Sequence, residues 1–198
     1  MAADAPIPAA RRPSAAGLKL LQVADTLFYS DGIHTVGIDR IIAEAGVTKA
    51  TFYKQYGSKD TLILEYIAAR DAQVRTSMAE LAKREGEPAA TLRALIQAII
   101  ADTGRSDFRG CPFLNAAAEF SDPEHPVRRA IVAHRDWFTG FLENLLADAG
   151  HPAPGAAADE FYVLRDGAMA GGYAGDPIAA TSALTRASER ILAEVPAR

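Results

Sequence analysis

Four side chains that can donate hydrogen bonds to nucleic acid lie within one short stretch of this 198-residue sequence. Lys49 and Lys54 carry ammonium groups, while Thr51 and Tyr53 carry hydroxyls, and all of them suit phosphate oxygens and base edges. Around Phe52 the same stretch has few other apolar residues, so a helix formed here keeps one face for a partner. The chemistry that this pattern favours is non-covalent recognition of DNA.

A helix-turn-helix is the element that must present these side chains. Apolar residues recur at helical spacing from Ile38 to Ala45, which predicts a short first helix. Gly46 ends that helix, because glycine adopts the left-handed conformation at little cost. Thr48 then caps a second helix over Lys49–Gln55 that fits the major groove, with Phe52 pointing inward.

A third helix follows directly. Gly57 ends the second helix and Ser58 caps the third, which places Lys59 at a helix N-terminus where backbone N–H groups and an ammonium favour a phosphate. The alternative interpretation is a surface helical hairpin whose polar residues are merely solvated.

The stretch AEAGVTKATFYKQYGSKDTLI resembles the DNA-binding signature of the TetR family of bacterial one-component regulators. With the upstream helix, the resemblance covers about Gly17 to Tyr66. It implies an all-α chain, in which an N-terminal three-helix domain with the helix-turn-helix precedes a helical-bundle domain for ligand binding and dimerisation. It also implies a homodimer that binds a palindromic double-stranded DNA operator, most often as a repressor that a small-molecule effector releases.

On this resemblance we predict that Lys49 and Thr51 approach base edges, and that Lys54 contacts either bases or phosphates. The predicted phosphate contacts are Thr48, Tyr53, Tyr56 and Lys59. The chain departs from the family pattern before the first of these helices, where the capping residue is usually Ser or Thr but this sequence has Val36-Gly37. Thr35 is a possible substitute cap.

Composition and charge fit a nucleic-acid binder only locally. The net charge is −4, yet residues 1–60 carry seven Lys or Arg and six Asp or Glu, whereas the remainder carries 14 and 19. The basic groups Lys49, Lys54 and Lys59 therefore form a small footprint on an acidic protein.

Domain limits follow from the same features. We expect a flexible arm over residues 1–16, the DNA-binding domain over 17–60 and the effector-binding and dimerisation domain over 61–198. The arm lacks the apolar core of a secretory signal, and no apolar run approaches the roughly 20 residues that span a membrane, so we expect a cytoplasmic protein. A single cysteine excludes an internal disulfide.

Cys111 is the one candidate for reactive chemistry. Pro112 is best placed at the first position of a helix, which makes Cys111 the N-cap. The helix dipole, with Arg105 and Arg109 nearby in sequence, favours the thiolate and so a redox- or electrophile-sensing regulator. The alternative is a small, buried hydrophobic residue.

A helix opened by Pro126 places His134 within an apolar stripe. Together with neighbouring aromatic residues it would suit an apolar effector pocket with a few polar anchors. The predicted pocket residues are Cys111, Phe113, Asn115, His134, Trp137, Phe138 and Phe141. The alternative is a hydrogen-bonded core histidine among core aromatic residues. No second ligand stands at metal-site spacing from His134, and we expect neither a metal nor another cofactor.

Glycines at four-residue spacing in the next helix indicate close approach of another backbone, since each helical glycine costs about 1 kcal/mol relative to alanine. Pairing this helix and the last one with their symmetry mates gives the family's four-helix dimer interface. The predicted interface residues are Gly167, Gly171, Gly175, Leu184 and Ile191. The alternative is a loose helix bent at Gly171-Gly172.

Two other classes of protein remain as alternatives. A cysteine-dependent enzyme could use Cys111 with His125 or His134, but no motif places a third orienting group, so we expect no enzyme. A helical protein-binding module would leave Lys49, Thr51 and Tyr53 without a purpose.

Overall fold

The computed structural model describes residues 14–196, and within that range the chain is helical with no strand. The all-α prediction is confirmed. The helices are α1 (Ala15–Asp31), α2 (Ile38–Ala45), α3 (Lys49–Tyr56), α4 (Lys59–Glu85), α5 (Pro88–Thr103), α6 (Pro112–Glu119), α7 (Pro126–Asp148), α8 (Pro154–Ala174) and α9 (Pro177–Ala193). No helix among the described residues is both long enough and apolar enough to cross a bilayer.

Two compact units divide the chain between Tyr66 and Ile67, inside α4. We expected the division after residue 60. The first unit reaches further because Leu62 and Tyr66, on the first turns of α4, are 0% and 2% exposed. The Tyr66 ring packs edge-on against Phe28 of α1, with 5.5 Å between ring centroids.

The first unit is built from α1, α2, α3 and the start of α4. Its centre is formed by Leu20, Ile41 and Phe52, one from each of the first three helices, and all are 0% exposed. Burial of side chains of this size contributes roughly 1.5–3 kcal/mol each, which fixes the three helices against one another.

Local capping chemistry sets the ends of these helices as predicted. Gly46 has a left-handed φ of 60° and ends α2. The Thr48 Oγ1 accepts a hydrogen bond from the Thr51 N–H at 3.1 Å and so caps α3. The Ser58 Oγ accepts from the Thr61 N–H at 3.1 Å at the start of α4.

Two expectations about helix starts are wrong. α1 begins at Ala15, within the predicted arm, because the Ser14 Oγ accepts from the Gly17 N–H at 3.2 Å. The other arm residues, 1–13, lie outside the described residues. Thr35 does not cap α2, whose N-cap is Gly37 without any side-chain hydrogen bond.

In the second unit α8 packs against α7 and α9, while α5 contacts all three of these helices and α6 lies on α7. Two glycines allow α8 to approach its neighbours. A Cβ on Gly171 would lie 3.4 Å from the Cβ of Ala180 in α9, and a Cβ on Gly172 would lie 3.2 Å from the Thr103 Cγ2 of α5. The core of this unit includes Leu142 of α7, which is 0% exposed.

Candidate functional site

α3 has two faces of opposite character. Phe52 and Tyr56 are 0% and 9% exposed and anchor the helix to its unit, whereas Tyr53 is 47% exposed. Lys49 and Lys54 are exposed as well. The structure therefore leaves the predicted polar face of α3 open to solvent.

Thr48 and Thr51 lie at the N-terminal end of this face. Their hydroxyl oxygens are 2.9 Å apart, so that one hydroxyl donates to the other. Since the Thr48 Oγ1 also accepts from the Thr51 N–H, Thr48 holds the first turn of α3 in place.

Lys49 is oriented by a carboxylate of α2. Its Nζ lies 3.2 Å from the Asp39 Oδ1, and the two side chains are 63% and 85% exposed. Exposed pairs of this kind contribute only about 0.2–1 kcal/mol and are screened by salt. The ammonium can therefore exchange this carboxylate for a phosphate or a base edge at little cost.

Tyr56 and Lys59, which we predict to contact phosphates, also use their polar atoms within the unit. The Tyr56 hydroxyl donates to the Gly17 carbonyl oxygen at 2.7 Å, and burial raises the pKa of Tyr56 to about 12. The Lys59 Nζ donates to the Ile33 carbonyl oxygen at 2.6 Å and lies 5.9 Å from the Phe28 ring centroid. Both residues fix the fold behind the exposed face of α3.

His134 is a hydrogen-bonded core residue, 2% exposed. Its Nδ1 lies 2.7 Å from the Asp71 Oδ1 of α4, and its ring stacks on Phe113 of α6 with 3.6 Å between centroids. Burial lowers the pKa of His134, whereas the hydrogen bond to Asp71 acts in the opposite direction. A neutral imidazole that donates through Nδ1 presents a lone pair on Nε2.

The predicted pocket aromatics pack on one another. Trp137 and Phe141 stack with 6.0 Å between centroids, and Phe138 lies 6.0 Å from Trp137 and 6.4 Å from Phe141. Asn115 was predicted as a polar anchor, but it is exposed and its Nδ2 donates to the Arg109 carbonyl oxygen at 2.7 Å. Asn115 therefore closes the turn before α6 and does not point into the aromatic cluster.

Cys111 is the N-cap of α6, as predicted, and is 3% exposed. The guanidinium beside its sulfur is that of Arg165 in α8, whose Nη1 lies 3.6 Å from the Sγ. Arg105 pairs instead with Asp107 at 2.8 Å, and Arg109 lies over the Tyr173 ring at 4.8 Å.

Sequence reasoning missed a group of charged residues around Cys111. The Asp166 carboxylate accepts from the Arg165 Nη1 at 2.8 Å and from the Arg135 Nη1 at 2.7 Å. Arg165 is only 9% exposed. One signal was available, because Arg165 follows Phe161 by four residues and so lies on the apolar face of α8, where an unpaired charge is costly.

The predicted dimer residues divide into two groups. Leu184 and Ile191 are 1% and 4% exposed and pack within their own protomer. Gly171 serves the contact between α8 and α9. By contrast, a Cβ on Gly167 would meet nothing within 4 Å, and Gly175 is the exposed C-cap of α8.

The histidines considered as partners of Cys111 have other contacts. The His125 Nδ1 accepts from the Val127 N–H at 3.3 Å, and its ring stacks on Phe120. His134 pairs with Asp71. Residues 14–196 also contain no cluster of three or more His, Cys, Asp or Glu that could hold a metal.

An exposed polar helix that follows a short turn, and is held on a three-helix core, defines a DNA-binding transcriptional regulator of the helix-turn-helix class. Residues 20–66 match the family model of bacterial regulatory proteins, tetR family. Residues 88–186 match the model of the tetracyclin repressor-like C-terminal domain. The chain belongs to the TetR family.

Individual relatives agree with this assignment. The crystal structure of SCO4454, a TetR-family transcriptional regulator from Streptomyces coelicolor, is 42% identical, with a TM-score of 0.87 over 92% of this chain and 97% of that one. The HTH-type transcriptional regulator LmrA of Bacillus subtilis (strain 168) is 28% identical over 130 residues, 64% of this chain and 69% of LmrA.

A further structure shares the fold. It is a cysteine mutant of the TetR family regulator CifR complexed with 26 bp double-strand operator DNA. The identity is 20%, and the TM-score is 0.74 over 94% of this chain and 99% of that one.

Proposed function

We propose that this TetR-family regulator is a cytoplasmic homodimeric repressor that binds a palindromic operator through α3 and is released by a small-molecule effector. The observation that carries the proposal is the division of α3 into a buried face, with Phe52, and an exposed face. The DNA-facing residues that we retain are Thr48, Lys49, Thr51, Tyr53 and Lys54. The operator DNA bound by CifR supports the same use of the fold.

Two copies of α3 related by a two-fold axis would read half-sites in successive major grooves. The proposed dimer surface is the outer side of α8, where Val163 is 68% exposed and Gly167 and Ala170 follow at helical spacing. Ile178, at the start of α9, is 80% exposed. Large apolar side chains that are this exposed mark an interaction surface.

Release by an effector requires a molecule that binds one conformation better than another. The proposed effector site lies in the second unit, around the aromatic cluster of Phe113, His134, Trp137, Phe138 and Phe141. These rings favour a largely apolar molecule.

The test is binding to a labelled duplex that carries the DNA upstream of the protein's own coding sequence, measured by fluorescence anisotropy at several salt concentrations. A repressor of this kind binds with a steep salt dependence, because phosphate contacts release counterions. Lys49→Ala combined with Tyr53→Ala should weaken binding by at least about tenfold.

Lys83→Ala, an exposed lysine in the last turn of α4, is the matched control and should leave the affinity unchanged. Unchanged affinity in the Lys49/Tyr53 variant would refute the assignment of this face to DNA. The same duplex upstream of a reporter gene distinguishes repression from activation.

The contact between Arg165 and Cys111 supports a second candidate, a regulator that senses electrophiles through the Cys111 sulfur. The sulfur would form a C–S bond with N-ethylmaleimide as the thiol proton passes to water, and the resulting carbanion would take a proton from water. Mass spectrometry of the folded protein should show one adduct that is absent in Cys111→Ser, with loss of DNA binding. No adduct at neutral pH would leave Cys111 as a buried structural residue.

A further inference from the structure

Arg165 is a buried cation whose hydrogen bonds with described residues use only part of its N–H donors. Its guanidinium has five N–H donors, and the contacts recorded with described residues, to Asp166 and Cys111, both use Nη1. The Nε and Nη2 donors are therefore available to a further acceptor. Its side chain retains 11% exposure, so these donors are not sealed from small molecules.

The surrounding charges do not balance when the thiol is neutral. Asp166 is shared by Arg165 and Arg135, at 2.8 Å and 2.7 Å, and the Arg135 side chain is 37% exposed, so solvent compensates part of its charge. The buried Arg165 therefore shares the carboxylate that it contacts with a second cation. Incompletely compensated buried charge is costly, so a further anion would stabilise Arg165. The Cys111 sulfur occupies the place of that anion at 3.6 Å, the longest contact of the group.

Aromatic rings flank the two guanidinium groups. Arg165 lies 5.4 Å from the Phe138 ring centroid and 5.8 Å from that of Tyr162, and Arg135 lies 4.3 Å from the Tyr162 centroid. Phe138 in turn contacts Trp137 in the aromatic cluster. Rings that can stack on a flat apolar molecule thus lie beside a guanidinium group that can bind a carboxylate through two N–H donors.

We propose that the group of Arg165, Asp166 and Arg135 receives the carboxylate of a small aromatic acid, which replaces the Cys111 sulfur on the Arg165 guanidinium. The aromatic body then lies against Phe138 and Tyr162. That this acid is the effector rests on the proposed function. Its binding breaks the contact between Cys111, the N-cap of α6, and Arg165 of α8, which gives the molecule a different affinity for the two arrangements of these helices.

Isothermal titration calorimetry with benzoate, 1-naphthoate and indole-3-carboxylate tests the proposal, with the corresponding neutral amides as matched ligands. The carboxylates should bind at least about tenfold more tightly than the amides. Arg165→Gln should remove this preference. Arg129→Gln, an exposed arginine of α7 near Glu124, should retain it.

Asp166→Asn keeps the proposal testable if Arg165→Gln does not fold. It removes the competing carboxylate and should tighten carboxylate binding, which a purely structural role of Asp166 does not predict. Equal binding of acids and amides, or binding by none of the acids, overturns the proposal.

The same preparations are titrated with the upstream duplex in the absence of acid. DNA binding without acid binding rejects the anion site alone. Acid binding without DNA binding rejects the repressor function alone.

Discussion

The Nδ1 of His134 lies 2.7 Å from the Asp71 Oδ1, and this polar contact joins the middle of α7 to α4 beside a cluster of aromatic rings. The Phe113 ring covers the imidazole on one side at 3.6 Å. The two residues are 63 positions apart in the sequence, so no local sequence pattern predicts this bond.

The first prediction concerns the pH dependence of stability. Because burial lowers the pKa of His134, the unfolded chain binds a proton more readily than the folded protein as pH falls. The contribution of His134 to the free energy of unfolding should be complete above about pH 6.5. It should decline as pH falls from there toward the lowered pKa of the folded protein. Urea unfolding between about pH 7.5 and about pH 5.5 should show a smaller decline in His134→Gln than in the wild type. The exposed-residue control His34→Gln should retain the wild-type decline, and parallel curves for all three proteins would contradict this assignment.

The second prediction concerns the cap of α3. Thr48→Ala removes the acceptor of the Thr51 N–H and should lower the free energy of unfolding by about 1 kcal/mol. Operator affinity should fall with it, since the first turn of α3 carries Lys49. Thr76→Ala, whose hydroxyl only donates to the Ala72 carbonyl of its own helix, should change stability by less than about 0.5 kcal/mol. Equal losses in the two variants would show that the cap has no special role.

The third prediction concerns the partner of Lys49. Asp39→Asn removes a negative charge beside the predicted DNA surface and should tighten operator binding by about two- to fivefold at low salt, with less effect at high salt. Anisotropy titrations at two salt concentrations measure this. Asp136→Asn, on the exposed side of α7, should have no effect. Weaker binding in Asp39→Asn would mean that Asp39 mainly orients the ammonium.

The fourth prediction concerns the proposed dimer surface. Val163→Glu places a charge on an exposed apolar position of α8 and should weaken self-association by at least about tenfold, measured by sedimentation equilibrium, with an unchanged helical circular dichroism spectrum. Val132→Glu, at a 49% exposed position of α7, is the matched control. Dimers of normal stability in Val163→Glu, or a monomeric wild type, would exclude this surface.

The sequence alone predicted those features that depend on neighbouring residues. Gly46, Thr48 and Ser58 act within one turn of their own positions, so the end of α2 and the starts of α3 and α4 follow from local chemistry. Pro112 likewise identifies Cys111 as a helix cap.

The sequence could not reveal contacts with distant partners. The hydrogen bonds from Tyr56 to the Gly17 carbonyl and from Lys59 to the Ile33 carbonyl join residues 39 and 26 positions apart. Periodicity shows that Leu184 is buried, but it does not reveal whether it packs within one protomer or against a second copy. Its 1% exposure in the single chain answers that question.

The two faces of α3 have separate tasks. Phe52 and the Tyr56 hydroxyl hold the helix in place from behind, so exchanges at the exposed Lys49 and Lys54 leave the scaffold intact. Target preference can therefore diverge among descendants of this protein, or be redesigned, by surface substitution without a penalty in folding.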